Sequence, residues 1–365
     1  MKYLEGFRNP AVAKVVRHKI TELAARLRES NSSANIMEVC GTHTMSIARY
    51  GIRSVLPDNV NLISGPGCPV CVTPPGYVDA AIELAQRGNI IVTFGDMLPV
   101  PGSETTLASC RAEGARIETC YSPALAIELA QKHPDRQVVF LAIGFETTVP
   151  AVISIVDTAI ERRIANVSLL TSFKVVPPAL AALLGDTEMG IDAFLCPAHV
   201  SAIIGSNAYL PFAGSGGVPC VIAGFEPLDI LMGLAGILDQ LTHGEARVDN
   251  QYSRVVKPRG NELALEMMNR FLQPEDALWR GLGIIPSSGL CLRPEFAEYD
   301  AARRHGIAVT AGKEPPGCLC GEVIKGKARP EKCRLFGNVC TPDNPVGPCM
   351  VSAEGSCAAC FKYGT

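Results

Sequence analysis

Two turns near the amino end of the chain carry its most informative residues. Residues 36–45 read Ile-Met-Glu-Val-Cys-Gly-Thr-His-Thr-Met, and residues 64–74 read Ser-Gly-Pro-Gly-Cys-Pro-Val-Cys-Val-Thr-Pro. An apolar run precedes each turn, at residues 36–39 and 60–63, which predicts two strands that end just before the polar residues. In α/β folds such strand ends share one edge of a sheet, where sites are usually built. The sequence therefore predicts that Cys40, His43, Cys68 and Cys71 meet at one place.

The residue types of the two turns indicate metal binding or redox chemistry. Thiolate and imidazole are soft or borderline ligands for iron, copper or zinc, and the Cys68-Pro-Val-Cys71 pair has a spacing used for metal ligation and thiol exchange. A structural alternative remains open for Cys40 and His43, because free cysteine is often only a buried packing residue and histidine often only a hydrogen-bonded one.

Length and composition narrow the class of protein. The 365 residues are enough for two or three domains, and 33 Lys and Arg against 36 Asp and Glu leave a net charge of −3. No basic stripe suggests nucleic acid as a partner. Neither a membrane-spanning apolar run nor a signal-peptide core is visible in the sequence, so we expect a soluble, cytosolic protein without a membrane partner.

The cysteine content favours bound metal over disulfides. Fifteen cysteines are an odd number in a chain much larger than disulfide-stapled secreted domains. Seven of them fall in a proline-rich tail with little apolar content, where thiolate-bound metal could order the chain. Their irregular spacing is more typical of iron–sulfur ligands than of zinc knuckles, and seven thiols exceed the four that a [4Fe–4S] cluster needs. The tail cysteines are Cys318, Cys320, Cys333, Cys340, Cys349, Cys357 and Cys360.

Alternating strand and helix patterns predict the α/β class, with two related α/β domains of mainly parallel sheet and a cysteine-rich carboxyl-terminal domain. The predicted ranges are 1–30 for an amino-terminal helix, 31–133 and 134–242 for the two α/β domains, and 243–365 for the third domain. Gly-Phe-Glu occurs after a strand at residue 144 and again at residue 224, which hints at repeated βα units. The Glu146-Thr-Thr turn could bind phosphate or cap its own helix, and capping is the preferred interpretation. Whether Cys196 and His199, at another strand end, lie near Cys40 stays open.

Together these motifs resemble the HypD family of factors that assemble the iron site of nickel–iron hydrogenases. The resemblance rests on residues 37–45, residues 64–74, the Gly-Phe-Glu-Thr-Thr turn at 144–148, and three stretches of the tail: Cys318-Leu-Cys-Gly-Glu, Cys340-Thr-Pro and Gly347-Pro-Cys-Met-Val-Ser. It covers nearly the whole chain, and such long composite motifs are highly specific.

The resemblance implies a scaffold on which iron acquires cyanide and carbon monoxide before delivery to the hydrogenase. Cys40 would hold this transient iron together with the amino-terminal cysteine of a small chaperone, HypC. Cyanide would come through HypE, which HypF supplies. His43 would orient or protonate a ligand, and Cys68 with Cys71 would serve electron or thiol exchange.

For the tail, the resemblance implies a [4Fe–4S] cluster held by Cys318, Cys333, Cys340 and Cys357. Cys320 and Cys349 would form an accessory redox pair similar to that of ferredoxin:thioredoxin reductase, although Cys320 could exchange with Cys318 as a ligand. Cys360 replaces an aromatic residue that is usual in the family. A cluster-dependent disulfide reductase is the alternative function, a structural zinc tail is a third, and whether the protein is itself an enzyme is left undecided.

Overall fold

The structure, a computed structural model, describes residues 5–364 and confirms the α/β class. The strands in chain order are β1 (Ala34–Glu38), β2 (Val60–Ser64), β3 (Ile90–Phe94), β4 (Ile117–Cys120), β5 (Val138–Gly144), β6 (Val167–Lys174), β7 (Ala193–Pro197), β8 (Cys220–Ala223), β9 (Val248–Asn250), β10 (Leu272–Trp279) and β11 (Gly283–Leu292). The α-helices are α1 (Pro10–Glu29), α2 (Gly41–Arg49), α3 (Pro69–Val72), α4 (Pro75–Gln86), α5 (Leu107–Ala112), α6 (Ala124–Lys132), α7 (Val149–Arg162), α8 (Val176–Gly185), α9 (Ala198–Ile204), α10 (Pro227–His243), α11 (Glu262–Phe271), α12 (Ala301–His305), α13 (Cys320–Lys325), α14 (Pro348–Val351) and α15 (Ser356–Tyr363).

Two sheets form the body of the protein. The five-stranded sheet has the order β2-β1-β7-β8-β9, and every neighbouring pair in it is parallel. The six-stranded sheet has the order β10-β11-β6-β5-β3-β4, in which β3 to β6 are parallel, while β11 is antiparallel to both of its neighbours, β6 and β10. Both sheets are therefore mainly parallel, as the alternation of strands and helices predicts.

The sheets do not follow the consecutive ranges predicted from the sequence. The chain leaves the first sheet after β2, builds β3 to β6 of the second sheet, and returns to place β7 beside β1, with Ile36 opposite Ala193. The boundary at 133/134 thus falls inside the second sheet. The range 243–365 is also divided, because the β10–β11 hairpin within it joins β6 through Leu290 opposite Phe173.

Apolar side chains alternate between the two faces of each strand, as expected for a pleated sheet covered on both sides. On β5, Phe140 faces an outer core shared with α7, whereas Leu141 faces an inner core. On β7, Leu195 faces the outer core beneath α1 and α10, whereas Phe194 faces the same inner core as Leu141. The inner core lies between the sheets and also contains apolar residues of the tail.

Two helix starts show how side chains bond to the backbone there. Asn9 caps α1, because its side-chain oxygen accepts hydrogen bonds from the amides of Ala11 (3.0 Å) and Val12 (3.5 Å). The preferred interpretation of the Glu146-Thr-Thr turn is wrong: Thr148 makes no side-chain capping bond to α7. Glu146 instead reaches across to α8, where its Oε1 accepts a hydrogen bond from the Val176 amide at 2.8 Å.

The tail, residues 318–364, contributes no strand to either sheet and contains α13, α14 and α15 joined by turns. It packs on the body through apolar residues such as Val323 and Met350, which belong to the inner core. None of the helices between residues 5 and 364 combines the length and the hydropathy that crossing a bilayer requires.

Candidate thiol and metal site

Cys40 lies at the junction of β1 and α2, where it is the extended N-cap residue of the helix. The turn that follows β2 packs directly on it. The amide of Gly41 donates to the carbonyl of Gly67 at 3.0 Å, and a Cβ atom added to Gly67 would lie 2.5 Å from the Cys40 backbone. Only glycine permits this approach. It places Cys68, the next residue, beside the Cys40 turn.

A buried carboxyl group fixes the backbone around Cys40. Glu38 is fully buried; its Oε2 accepts from the Cys40 amide at 3.1 Å and its Oε1 accepts from the Thr44 hydroxyl at 2.6 Å. Burial raises the pKa of Glu38 to about 7, against the opposing effect of these hydrogen bonds. Sequence reasoning gave Glu38 no role, although a carboxylate inside an apolar strand is itself a signal.

The thiol of Cys40 is mostly buried, with 8% of the residue exposed. Burial raises its pKa to about 12, while the backbone amides of His43 and Thr42 at the start of α2 favour the thiolate. The protein alone therefore keeps Cys40 protonated at neutral pH. Binding of a metal ion would displace that proton.

His43 is fully buried and its ring is neutral at neutral pH, because burial lowers its pKa to about 4. Its Nε2 lies 3.0 Å from the carbonyl oxygen of Gly224, at the end of β8. Since a carbonyl only accepts, Nε2 carries the proton and Nδ1 is a free acceptor, without a hydrogen-bond partner in the described part of the chain. A neutral imidazole with a low pKa is a weak acid, so His43 is better suited to accept a hydrogen bond from a ligand than to protonate one.

Phe225 separates His43 from His199. Its ring centroid lies 4.7 Å from that of His43 and 4.2 Å from that of His199. The second Gly-Phe-Glu motif and the strand end at His199 therefore lie at the same sheet edge as His43, which settles the question left open for His199. Cys196 differs, because it is fully buried and its thiol interacts with Cys220 on the neighbouring strand β8.

Cys68 is the N-cap residue of α3, and Cys71 lies within the single turn of that helix. The Cys68 sulfur accepts a hydrogen bond from the Cys71 amide at 3.2 Å. The Cys71 sulfur lies 3.7 Å from the carbonyl oxygen of Pro348 in α14, so it contacts the tail. Burial raises the pKa of Cys71 and an interaction with Cys349 partly offsets this effect.

Six tail cysteines surround one cavity. The Cys320 and Cys349 sulfurs lie 3.0 Å apart, and Cys349 also interacts with Cys357 and Cys71. The chain of thiol contacts therefore runs from Cys71, which adjoins Cys68, through Cys349 to the cavity. The six lining cysteines are Cys318, Cys320, Cys333, Cys340, Cys349 and Cys357.

This donor set fits an iron–sulfur cluster, because four thiolates around a shared cavity are what a [4Fe–4S] cluster requires and two more remain for a dithiol. Within residues 5–364, no group of three or more His, Cys, Asp or Glu side chains is placed so that it could hold a metal ion, so the fit rests on the residue types that line the cavity. Cys360 does not line the cavity: its sulfur lies 3.1 Å from Glu331 Oε1, in a separate cavity beside Arg53.

Glu354 ties the tail to the Cys40 turn, a link that sequence reasoning missed because nothing local marks this residue. Its Oε1 accepts from the Thr42 hydroxyl at 2.8 Å, and a Cβ atom added to Gly41 would lie 2.3 Å from the Glu354 Cβ. Glu354 also lines a small cavity together with Cys68, Cys71 and Cys349. The Cys40 turn, the Cys68–Cys71 turn and the tail thus meet.

The fold and this site define a class: an α/β protein in which a thiol-rich tail packs against cysteine-bearing turns at a sheet edge. The HypD family model, described as "Hydrogenase formation hypA family", matches residues 12–364. The chain belongs to this family of hydrogenase maturation factors.

Individual relatives agree with the family model. The hydrogenase maturation factor HypD of Azotobacter vinelandii is 46% identical over 375 residues, which cover 100% of this chain and 97% of the relative. HypD of Cupriavidus necator is 42% identical, with 100% and 97% covered. HypD of Escherichia coli is 41% identical, with 100% and 98% covered.

Proposed function

We propose that the protein is the scaffold on which the iron of nickel–iron hydrogenase acquires cyanide and carbon monoxide, with Cys40 as its ligand to that iron. The observation that carries this proposal is the packing of Gly67 against Cys40, which brings the Cys68–Cys71 dithiol next to a thiol presented at a helix start. A transient iron with diatomic ligands needs soft donors, and thiolate is one.

The residues around Cys40 support the role of holding and releasing cargo. The amides at the start of α2 stabilise the Cys40 thiolate once the metal has displaced its proton. Glu38 fixes the Cys40 backbone through the Cys40 amide, and the free Nδ1 of His43 can accept a hydrogen bond from a ligand nearby. The small exposed fraction of Cys40 suits a site that opens only to a docked partner.

For that partner we propose the small chaperone HypC, whose amino-terminal cysteine would supply a second thiolate, with HypE delivering cyanide from HypF. We propose further that Cys318, Cys333, Cys340 and Cys357 hold a [4Fe–4S] cluster, which would supply single electrons. Cys320 and Cys349 then form a dithiol between the cluster ligands and Cys71, supported by their 3.0 Å separation. Thiol exchange along Cys349 and Cys71 connects the tail to the early turns.

The decisive test replaces Cys40 and a matched packing cysteine. We expect Cys40→Ala to abolish hydrogenase maturation and to remove the cyanide and carbonyl infrared bands from the anaerobically purified complex with HypC. Cys110→Ala is the control, because Cys110 is also buried but lies on α5, away from the thiol contacts described above. Bands that persist in Cys40→Ala would refute the assignment of Cys40 as the iron ligand.

A second function, cluster-dependent disulfide reduction, is favoured by one observation: the Cys320–Cys349 pair adjoins both the cavity and Cys71. It predicts catalytic disulfide turnover by the isolated protein supplied with an electron donor. The scaffold proposal predicts no turnover without the partner proteins. Analysis of iron, labile sulfide and zinc in anaerobically purified protein distinguishes both of these functions from a tail that binds structural zinc. A [4Fe–4S] cluster gives about four iron and four sulfide per chain.

A further inference from the structure

Arg280 is a buried cation whose hydrogen bonding is incomplete. Its residue is 2% exposed and its side chain is fully buried, at the turn between β10 and β11. Nε donates to the Thr73 carbonyl at 3.0 Å and Nη1 donates to Glu314 Oε2 at 2.9 Å. Nη2 has no hydrogen-bond partner anywhere in residues 5–364. A buried guanidinium normally satisfies all its donors, so the spare group of Arg280 calls for an acceptor.

The backbone at Arg280 contacts two cysteine-bearing segments. Its amide donates to the Val72 carbonyl at 2.7 Å, next to Cys71. On its other side, the following residue Gly281 packs against Gly321: a Cβ atom on Gly281 would lie 2.6 Å from the Gly321 carbonyl oxygen. Gly321 follows Cys320, so the hairpin turn lies between the Cys68–Cys71 turn and the cysteine-lined cavity.

The charge of Arg280 also links it to the cysteines of the cavity. The guanidinium of Arg280 lies close enough to Cys318 and Cys320 for its positive charge to act on both sulfur atoms, where it favours negative charge. The countercharge of Arg280 is Glu314, which is 52% exposed and therefore screened by solvent. Glu314 therefore offsets only part of the charge that Arg280 presents to these two sulfur atoms.

We propose that Arg280 is a positioning residue for an iron–sulfur cluster bound in this cavity: its spare Nη2 donates to a sulfur atom that arrives with the cluster, and its charge raises the reduction potential of that cluster. This inference rests on the proposed function, which supplies the cluster. Reduction adds one negative charge to a cluster that four thiolates have already made anionic. A nearby cation stabilises the reduced form more than the oxidised form, and hydrogen bonds to sulfur act in the same direction.

The test compares two charge changes of opposite sign. In Arg280→Met the cation is removed, and in Glu314→Gln its countercharge is removed while Arg280 stays. We expect at least a tenfold fall in the ratio of reduced to oxidised cluster at fixed potential for Arg280→Met, equal to about 59 mV for a one-electron couple. For Glu314→Gln we expect a rise, and Arg280→Lys, which keeps the charge, should lie closer to the unaltered protein than Arg280→Met does.

The measurement is a redox titration of the anaerobic protein followed by electron paramagnetic resonance, with iron and sulfide content determined for each variant. Arg304→Gln is the matched control. Arg304 is a half-buried arginine that donates to Gln137 Oε1 and to the carbonyls of Ala165 and Val167 at the other end of the six-stranded sheet, so its loss should leave the potential unchanged.

The outcomes separate this inference from the proposed function. If the unaltered protein binds no cluster, the proposed cofactor is refuted and the inference fails with it. If the cluster is present but its potential is unchanged in Arg280→Met and Glu314→Gln, or shifts in the same direction in both, only the inference is refuted. Should Arg280→Met not fold, the sign of the shift in Glu314→Gln decides alone.

Discussion

At the scale of single residues, Glu146 shows how a buried carboxyl group couples stability to pH. Its residue is 2% exposed, its Oε1 accepts from the Val176 amide, and its Oε2 has no partner among residues 5–364. Burial raises the pKa of Glu146 from 4.5 to about 7. The folded protein therefore retains a proton between pH 4.5 and 7 that the unfolded chain releases, so stability falls as pH rises through this window.

Glu146→Gln should remove this contribution. The free energy of unfolding of the unaltered protein should fall, relative to the variant, by roughly 3 kcal/mol between pH 4.5 and pH 8. Urea denaturation of both proteins across this pH range measures the difference between their free energies of unfolding. Glu38 is present in both proteins, so its similar contribution cancels in this difference. Glu22 is an exposed carboxylate on α1, and Glu22→Gln is the control, which should leave the pH dependence of the free energy of unfolding unchanged. Parallel pH curves for the unaltered protein and Glu146→Gln would contradict the assignment.

At the scale of elements, the contact between the two cysteine turns depends on Gly67. The methyl group of alanine at this position would collide with the N, Cα and C atoms of Cys40, each 2.5 Å from the added Cβ. Backbone atoms cannot move aside as a flexible side chain can. Gly67→Ala should therefore separate the turns, cost about 1–3 kcal/mol of stability, and weaken the infrared bands of the complex with HypC.

The control for Gly67→Ala is Gly185→Ala, at the end of α8, where an added Cβ would meet nothing within 4 Å. Denaturant unfolding and infrared spectra of the two variants should differ, with Gly185→Ala close to the unaltered protein. Equal stability and equal band intensity in both variants would show that the turns do not depend on this contact.

Elements also mark the limit of what the sequence could predict. The apolar runs of β3 and β5 are recognisable as strands from the sequence, because strands buried on both faces have few polar positions, in β3 only Thr93. β10 does not, since it reads Leu-Gln-Pro-Glu-Asp-Ala-Leu-Trp and is a strand only because it pairs with β11 at the sheet edge. Likewise, periodicity assigns β1 and β7 to strands but not to the same sheet, because 150 or more residues separate them.

The residues of the candidate site likewise fall into those that the sequence predicts and those that it does not. Thiols and histidine in strand-end turns were predictable, because residue type and local spacing reveal them. Arg280 and Glu354 were not, because their importance comes from the Thr73 carbonyl and the Thr42 hydroxyl, more than 200 residues away along the chain. Contacts of this range are set by packing, which no local pattern encodes.

At the scale of the whole molecule, the two sheets and the tail differ in what stabilises them. Each sheet has its own outer core and both share the inner core, so we expect apolar burial alone to hold the body together. The tail has short helices and no strand in either sheet. Apolar residues such as Val323 and Met350 attach it to the inner core, and polar contacts add to this attachment. These include the ion pairs of Lys327 with Asp186 and Glu188, each 2.8 Å, and the Glu354–Thr42 hydrogen bond.

Removal of the proposed cluster should therefore disorder the tail without unfolding the body. After anaerobic chelation of iron, limited proteolysis should cut within residues 318–364 at least tenfold faster. This corresponds to a fall of about 1.4 kcal/mol or more in the free energy of local unfolding of the tail. The range 10–310 should stay protected, as mass spectrometry of the fragments would show. Cys320→Ser, which in our assignment leaves the four ligands intact, is the control that should keep the tail protected. Equal cleavage rates with and without metal would mean that apolar contacts such as those of Val323 and Met350 order the tail on their own.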